Sequence, residues 1–173
     1  MLFVFVEGPD DESYFTKVFA SSWEFYKIIK YAGMKNDKIN DFIKSIGCMP
    51  NGDYLFFGDS DGMEIEKKRE SLLLKFPNLS SDKLFIVQFE IESWYYAGVD
   101  ESMCRKLKMK NFIFQTDGLT KEQFYSKLAR PSDKKYVMAC ILNQYMLSLA
   151  IERNYTLNLF VIHEEERTCN AVC

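Results

Sequence analysis

Histidine is almost missing from this chain: one copy, His163, occurs in 173 residues. A Ser-His-Asp or Cys-His catalytic set would have to be built on that residue alone, which argues against nucleophilic hydrolases of this kind. Zinc is poorly served as well. The five cysteines, Cys48, Cys104, Cys140, Cys169 and Cys173, are odd in number, scattered, and form no CxxC pair,. They read as buried or free thiols, with Cys169 and Cys173 open to oxidation in vitro. No apolar run approaches the roughly 20 residues that a membrane-spanning helix needs. The opening Met1-Leu2-Phe3-Val4-Phe5-Val6-Glu7 has no basic segment and meets an acid after five apolar residues, so it reads as a strand, not a signal peptide,. A cytoplasmic protein without a membrane partner is expected. Positive charge is in short supply too: Lys and Arg total 22 against 25 Asp and Glu, a net charge of −3. A protein that holds nucleic acid by bulk electrostatics would be basic. Nucleic-acid binding would have to use metal ions or a local patch, such as Arg105-Lys106-Leu107-Lys108-Met109-Lys110 or Arg130 with Lys134 and Lys135. Such clusters are more often simply solvated faces.

Apolar residues are plentiful, at 47%, with 16% aromatic, so the chain is globular,. Its length suits a single domain. The stretch Tyr54-Leu55-Phe56-Phe57-Gly58-Asp59-Ser60-Asp61-Gly62 is an apolar run that ends abruptly in two carboxylates. Consecutive apolar residues suit a strand buried on both faces. If the extended conformation persists past Asp59, Asp59 and Asp61 point to the same side. Two carboxylates so placed repel each other unless a cation or a proton intervenes, and hard oxygen ligands suit Mg²⁺ or Mn²⁺. The plainer reading is a polar turn whose Asp caps the next helix.

The remainder alternates strand and helix in its first half. Residues 2–6 read as a strand. A helix follows from Asp10, as N-cap, to about Ala20, with Tyr14, Phe15, Val18 and Phe19 on one face. Glu12 reads as an acid favoured by the helix N-terminus. Residues 25–31 suggest a second strand. Ile39, Phe42, Ile43 and Ile46 at i, i+3, i+4, i+7 predict an amphipathic helix from Asn36 or Asp37 to Gly47. Residues 62–76 look helical and 83–89 form another strand, followed by Glu90-Ile91-Glu92-Ser93-Trp94. Three apolar strands thus end in acids: Glu7, then Asp59 and Asp61, then Glu90 and Glu92. In a parallel sheet these ends share one rim, where open α/β folds hold their ligands. The plainer alternative is that strands often end in polar surface residues. Beyond residue 100 the pattern predicts helices at 101–109, at 120–129 with Thr120 as N-cap and Gln123 at N3, and from Pro131 to about Glu152. Leu157 to Ile162 fits either a helix or an edge strand, and Glu164 onward reads as a frayed tail. Trp94 and Tyr95 read as core rather than as a base-stacking platform. The expected fold is α/β, Rossmann-like: a mainly parallel sheet flanked by helices, a single domain over 1–173 with its core at about 1–100 and a helical extension at about 101–173.

With Glu7-Gly8-Pro9-Asp10-Asp11, Asp59-Ser60-Asp61 and Glu90-Ile91-Glu92-Ser93-Trp94 in this order, residues 1–100 resemble the Toprim family, above all stand-alone Toprim-like proteins and the nuclease domains of the OLD family. The resemblance implies a Mg²⁺- or Mn²⁺-dependent phosphodiester hydrolase acting on DNA or RNA. It implies that Glu7 serves as general acid/base or metal ligand, that Asp59 and Asp61 serve as metal ligands, and that Asp11 and Glu90 or Glu92 support a second ion. Several carboxylates can hold two ions about 4 Å apart, which activate water and stabilise a leaving oxygen. The family's topoisomerases need a nucleophilic Tyr on another domain and its primases a zinc module, neither of which fits here. Nucleases of this kind often recruit a lysine, and Lys134 or Lys135 is available.

Two other classes fit parts of the pattern. Asp59-Ser60-Asp61-Gly62 also resembles the DxDG of haloacid dehalogenase-like phosphatases, although that family places it on the first strand and follows it with Thr. The acidic rim could instead hold a metal in a non-catalytic subunit of a defence or repair complex, beside an ATPase subunit. A calcium loop over Asp59 to Glu70 is disfavoured, since Gly62 falls at its fourth position instead of its sixth.

Overall fold

The structure, a computed structural model, describes residues 1–170; Cys173, one of the two terminal thiols, lies outside the described residues. The chain divides into two compact units, Met1–Val87 and Gln88–Cys173, so Glu90 and Glu92 belong to the second.

The first unit alternates β1 (Leu2–Val6), α1 (Pro9–Val18), β2 (Tyr26–Lys30), α2 (Asn36–Gly47), β3 (Asp53–Asp59), α3 (Ile65–Lys75) and β4 (Leu84–Val87). The four strands form one all-parallel sheet in the order β2-β1-β3-β4. The α/β class read from the sequence is therefore the observed one. All five residues of β1 are buried, which is why its pattern is a continuous apolar run and not an alternation. Phe3, Phe5, Tyr54 and Phe56 turn to one face, where they pack with Ile39, Ile43 and Ile46 of α2 and Leu72 of α3. Phe42 sits 5.4 Å, ring to ring, from both Phe3 and Phe5. On the other face Phe15 of α1 meets Phe57 at 4.3 Å.

Several boundaries differ from expectation. β4 stops at Val87, not 89, and Phe89 has a left-handed backbone (φ 59°). α1 begins at Pro9 with Gly8 as N-cap, not Asp10; proline suits the first helical position, whose N–H would have no helical partner anyway. α3 starts at Ile65, not 62, because Asp61 (φ 50°) and Gly62 (φ 79°) adopt left-handed conformations and Met63 N–H closes the turn on Ser60 O at 2.9 Å.

The second unit, over its described residues, is helical: α4 (Glu92–Ala97), α5 (Glu101–Lys106), α6 (Lys121–Lys127), α7 (Lys134–Asn143), α8 (Leu147–Arg153) and α9 (Tyr155–Asn170). Thr120 caps α6 as expected: its Oγ1 accepts from Gln123 N–H at 3.3 Å, and Gln123 Oε1 accepts from Thr120 N–H at 3.2 Å. The long helix expected from 131 to 152 is broken into α7 and α8 around Gln144–Met146, where the Tyr145 hydroxyl donates to Trp94 O at 2.8 Å. A tertiary contact here overrides local helix preference. The stretch that fitted either helix or strand is helical, and it continues through the expected frayed tail to Asn170. Thr156, Leu157, Phe160, Val161 and Glu164 bury one side of α9, and Arg167 holds Glu164 through two bonds of 2.8 and 2.9 Å. α4 went unread because all six of its residues are buried, which erases any amphipathic pattern. Trp94 and Tyr95 are core residues.

Candidate functional site

The order β2-β1-β3-β4 means that the chain moves one way from β1 to β2 and the other way through β3 to β4. The reversal lies between β1 and β3. Open parallel sheets hold their ligands at such a point, beyond the carboxyl ends of the strands. Glu7 follows the last residue of β1, and Asp59 is the last residue of β3.

These two residues are linked through the backbone of Asp59. Asp59 donates its backbone N–H to Glu7 Oε1 at 3.2 Å, and the Tyr31 hydroxyl reaches the same oxygen at 3.2 Å. Among the described residues both hydrogen bonds to the Glu7 carboxylate end on Oε1. Asp11 turns back toward the same loop: its Oδ2 accepts the Gly8 N–H at 3.0 Å. Asp11 and Asp59 are both buried. The single Tyr31 hydroxyl proton is shared with Phe57 O, which lies closer, at 2.8 Å,. Burial first, then the charge of Glu7 and its hydrogen bond, then the charges of Asp59 and Asp11, push the Tyr31 phenol far above the ordinary tyrosine range, so it stays a donor,.

Asp61 behaves differently. The extended backbone ends at Asp59, so the condition for Asp59 and Asp61 to face the same side is not met. Asp61 is exposed, and its Oδ2 accepts from Lys68 of α3 at 2.6 Å. Glu12, read as a helix-terminal acid, is paired with Lys30.

In the second unit, Glu90 and Glu92 share a lysine. Lys121 donates its backbone N–H to Glu90 Oε2 at 3.1 Å, and its ammonium lies 3.5 Å from Glu90 Oε1 and 3.7 Å from Glu92 Oε1. Glu92 is fully buried. Its Oε1 accepts from the Tyr125 hydroxyl at 2.6 Å and lies 3.9 Å from Lys134 Nζ, while Oε2 has no hydrogen-bond partner. Lys134 also stands over the Tyr125 ring at 4.5 Å. Phe89, just before these acids, has φ 59°, an uncommon conformation for a bulky residue.

The carboxylate oxygens of Glu7, Asp11 and Asp59 suit Mg²⁺ or Mn²⁺ by type. Among the described residues no group of three or more His, Cys, Asp or Glu side chains is arranged to hold a metal ion. Mg²⁺ is commonly held by only one or two carboxylates, with water and substrate phosphate filling its other positions. Glu7 and Asp59 meet that smaller demand in number and chemistry. Tyr31 and Lys68 were missed from sequence: neither belongs to a motif, and each acquires its role only from the strand order and the Asp61 turn.

Among models of known protein families, curated proteins and solved structures, none matches the chain.

Proposed function

We propose that the protein is a Mg²⁺- or Mn²⁺-dependent phosphodiester hydrolase acting on nucleic acid, with Glu7 and Asp59 as its central carboxylates. The observation that carries this reading is the placement of these two acids on adjacent strand ends at the reversal of strand order, joined by the 3.2 Å bond from Asp59 N–H to Glu7 Oε1. A bound divalent ion would polarise a phosphate and lower the pKa of bound water. Glu7 and Asp59 would hold it; the Tyr31 hydroxyl and the N–H of Asp59 would fix the Glu7 carboxylate, and Asp11 would brace the neighbouring loop through the Gly8 N–H. Asp61 would join only by leaving Lys68, which would free that lysine for a phosphate. The net charge of −3 makes an ion the natural bridge between an acidic rim and an anionic substrate. The motif resemblance to Toprim-like nucleases points the same way.

The test is cleavage of single- and double-stranded DNA and RNA with Mg²⁺, with Mn²⁺ and with chelator, for wild type, Glu7→Gln and Asp59→Asn. Metal-dependent cutting that both folded variants lose supports the reading. Cutting that survives in both, or in chelator, overturns it. The net negative charge favours one second reading, a metal-binding subunit that needs a protein partner such as an ATPase. Its signature is a melting temperature raised by Mg²⁺ or Mn²⁺ in a wild type that cuts nothing alone.

A further inference from the structure

We propose that Tyr31 is a positioning residue that holds the Glu7 carboxylate in one orientation, leaving Glu7 Oε2 for the ion. The inference rests on the reading of Glu7 as a metal-binding carboxylate and adds a residue that no motif points to. Tyr31 follows the last residue of β2. Its N–H donates to Val6 O, the last residue of β1, at 2.9 Å. Its hydroxyl reaches Glu7 Oε1 at 3.2 Å and Phe57 O of β3 at 2.8 Å. One residue thus ties the carboxyl ends of three neighbouring strands to one carboxylate oxygen.

The ring that carries this hydroxyl is itself fixed. It stacks on Phe56 at 4.5 Å, meets Phe76 edge-on at 6.4 Å, and is buried. Glutamate has three rotatable side-chain bonds, and ordering it costs conformational entropy. A hydroxyl on an immobile ring, with the Asp59 N–H on the same oxygen, meets that cost before a ligand arrives. The hydroxyl has one proton, shared between Phe57 O at 2.8 Å and Glu7 Oε1 at 3.2 Å, so it can both tie the strands and orient the carboxylate,. The two roles separate in metal affinity, since residues that orient a metal-binding side chain affect affinity about 10- to 100-fold.

Tyr31→Phe keeps the ring and removes the hydroxyl. Mn²⁺ binding to wild type, Tyr31→Phe and Glu7→Gln would be followed by titration calorimetry, beside urea unfolding of each. The expected result is Mn²⁺ affinity about tenfold weaker in Tyr31→Phe and undetectable in Glu7→Gln. If Tyr31→Phe binds Mn²⁺ as wild type does while Glu7→Gln does not, the positioning role is overturned and the metal reading stands. If wild type binds no Mn²⁺, or Glu7→Gln binds it equally well, the metal reading falls and the inference falls with it. Should Tyr31→Phe not fold, wild type labelled with ¹³C-tyrosine is titrated with Mn²⁺. Of its ten tyrosines, the assigned Tyr31 ring signals are expected to broaden first; broadening that spares Tyr31 overturns the proposal.

Discussion

The backbone N–H of Asp59 and the side chain of Glu7, separated by 52 residues, meet in a hydrogen bond of 3.2 Å. The bond makes Glu7 structural as well as chemical, and the two roles can be split. Glu7→Ala removes the acceptor shared by Asp59 N–H and Tyr31, and a buried donor left without a partner costs about 1–3 kcal/mol. Glu7→Gln retains an oxygen in place of Oε1 and is expected to cost under about 1 kcal/mol, while losing the negative charge that an ion needs. Urea unfolding beside Mn²⁺ titration checks this. Glu7→Gln should be stable but metal-blind, and Glu7→Ala deficient in both. Equal stability of the two variants would mean that the Asp59 bond contributes nothing to folding.

How much of this was legible in the sequence depends on how local the cause is. β1, β3 and α2 could be read directly: the apolar runs of Leu2–Val6 and Tyr54–Phe57 and the spacing of Ile39, Ile43 and Ile46 record burial in the chain itself. Glu7 and Asp59 were found because each terminates such a run. Asp61 was placed with Asp59 on the assumption of continued extension, and the left-handed backbone at Asp61 breaks it. Tyr31 carries no signal, since its role depends on β2 lying beside β1. In the second unit the break at Tyr145 answers to a bond with Trp94, 51 residues away, and local patterning cannot report such a contact.

Alkaline stability should carry a mark of Tyr96. Burial, then the neighbouring Cys104 thiol, push its phenol up to about 12 from 10. Between those values the unfolded chain has lost the proton and the folded chain keeps it. The stabilising contribution is therefore complete below pH 10 and lost as pH rises toward about 12,. Lys127, lowered by burial from 10.5, works in the opposite sense, adding stability as pH rises toward its ordinary value. Comparing Tyr96→Phe with wild type isolates the tyrosine. Urea midpoints followed through this window should fall less steeply in the variant; identical slopes would show that Tyr96 ionises alike in folded and unfolded chains.

Gly98 is required for its lack of a side chain. It caps the end of α4 at φ −81°, a conformation open to any residue. A Cβ there would lie 2.4, 2.5 and 2.9 Å from Cε2, Cδ2 and Cζ of Tyr145, whose ring is held by its bond to Trp94 O. Gly98→Ala should cost about 1–3 kcal/mol through overpacking. The same substitution on a Tyr145→Ala background should cost far less, a non-additivity expected of residues in direct contact. A double-mutant cycle by urea unfolding measures the coupling. Additive costs would mean that the ring moves aside without resistance.

Arg153 is the strongest stability test that the second unit offers. Its guanidinium is fully buried and donates to backbone carbonyls. Nε donates to Phe114 O at 2.7 Å, Nη1 to Ala97 O at 2.8 Å and also to Val99 O, and Nη2 to Ile113 O at 2.6 Å. Phe112, Phe114 and Tyr96 surround it, with ring centroids at 5.0, 5.5 and 5.8 Å. One side chain thereby gathers the end of α4, the segment around residue 113 and the end of α8. Arg153→Met is similar in length but leaves four carbonyls without this donor, at about 1–3 kcal/mol for each that stays buried. The loss should exceed about 4 kcal/mol, the range reserved for broken buried networks. Arg153→Lys keeps the charge but replaces a planar fork of five donors with one compact ammonium, so it should recover only a minor part. Urea unfolding in a Trp23→Phe background, where Trp94 is the remaining one of the two tryptophans, reports on this unit by fluorescence. If Arg153→Met unfolds within about 0.5 kcal/mol of wild type, the size expected of an ordinary surface change, the carbonyls have found other donors and the guanidinium does not hold these segments together.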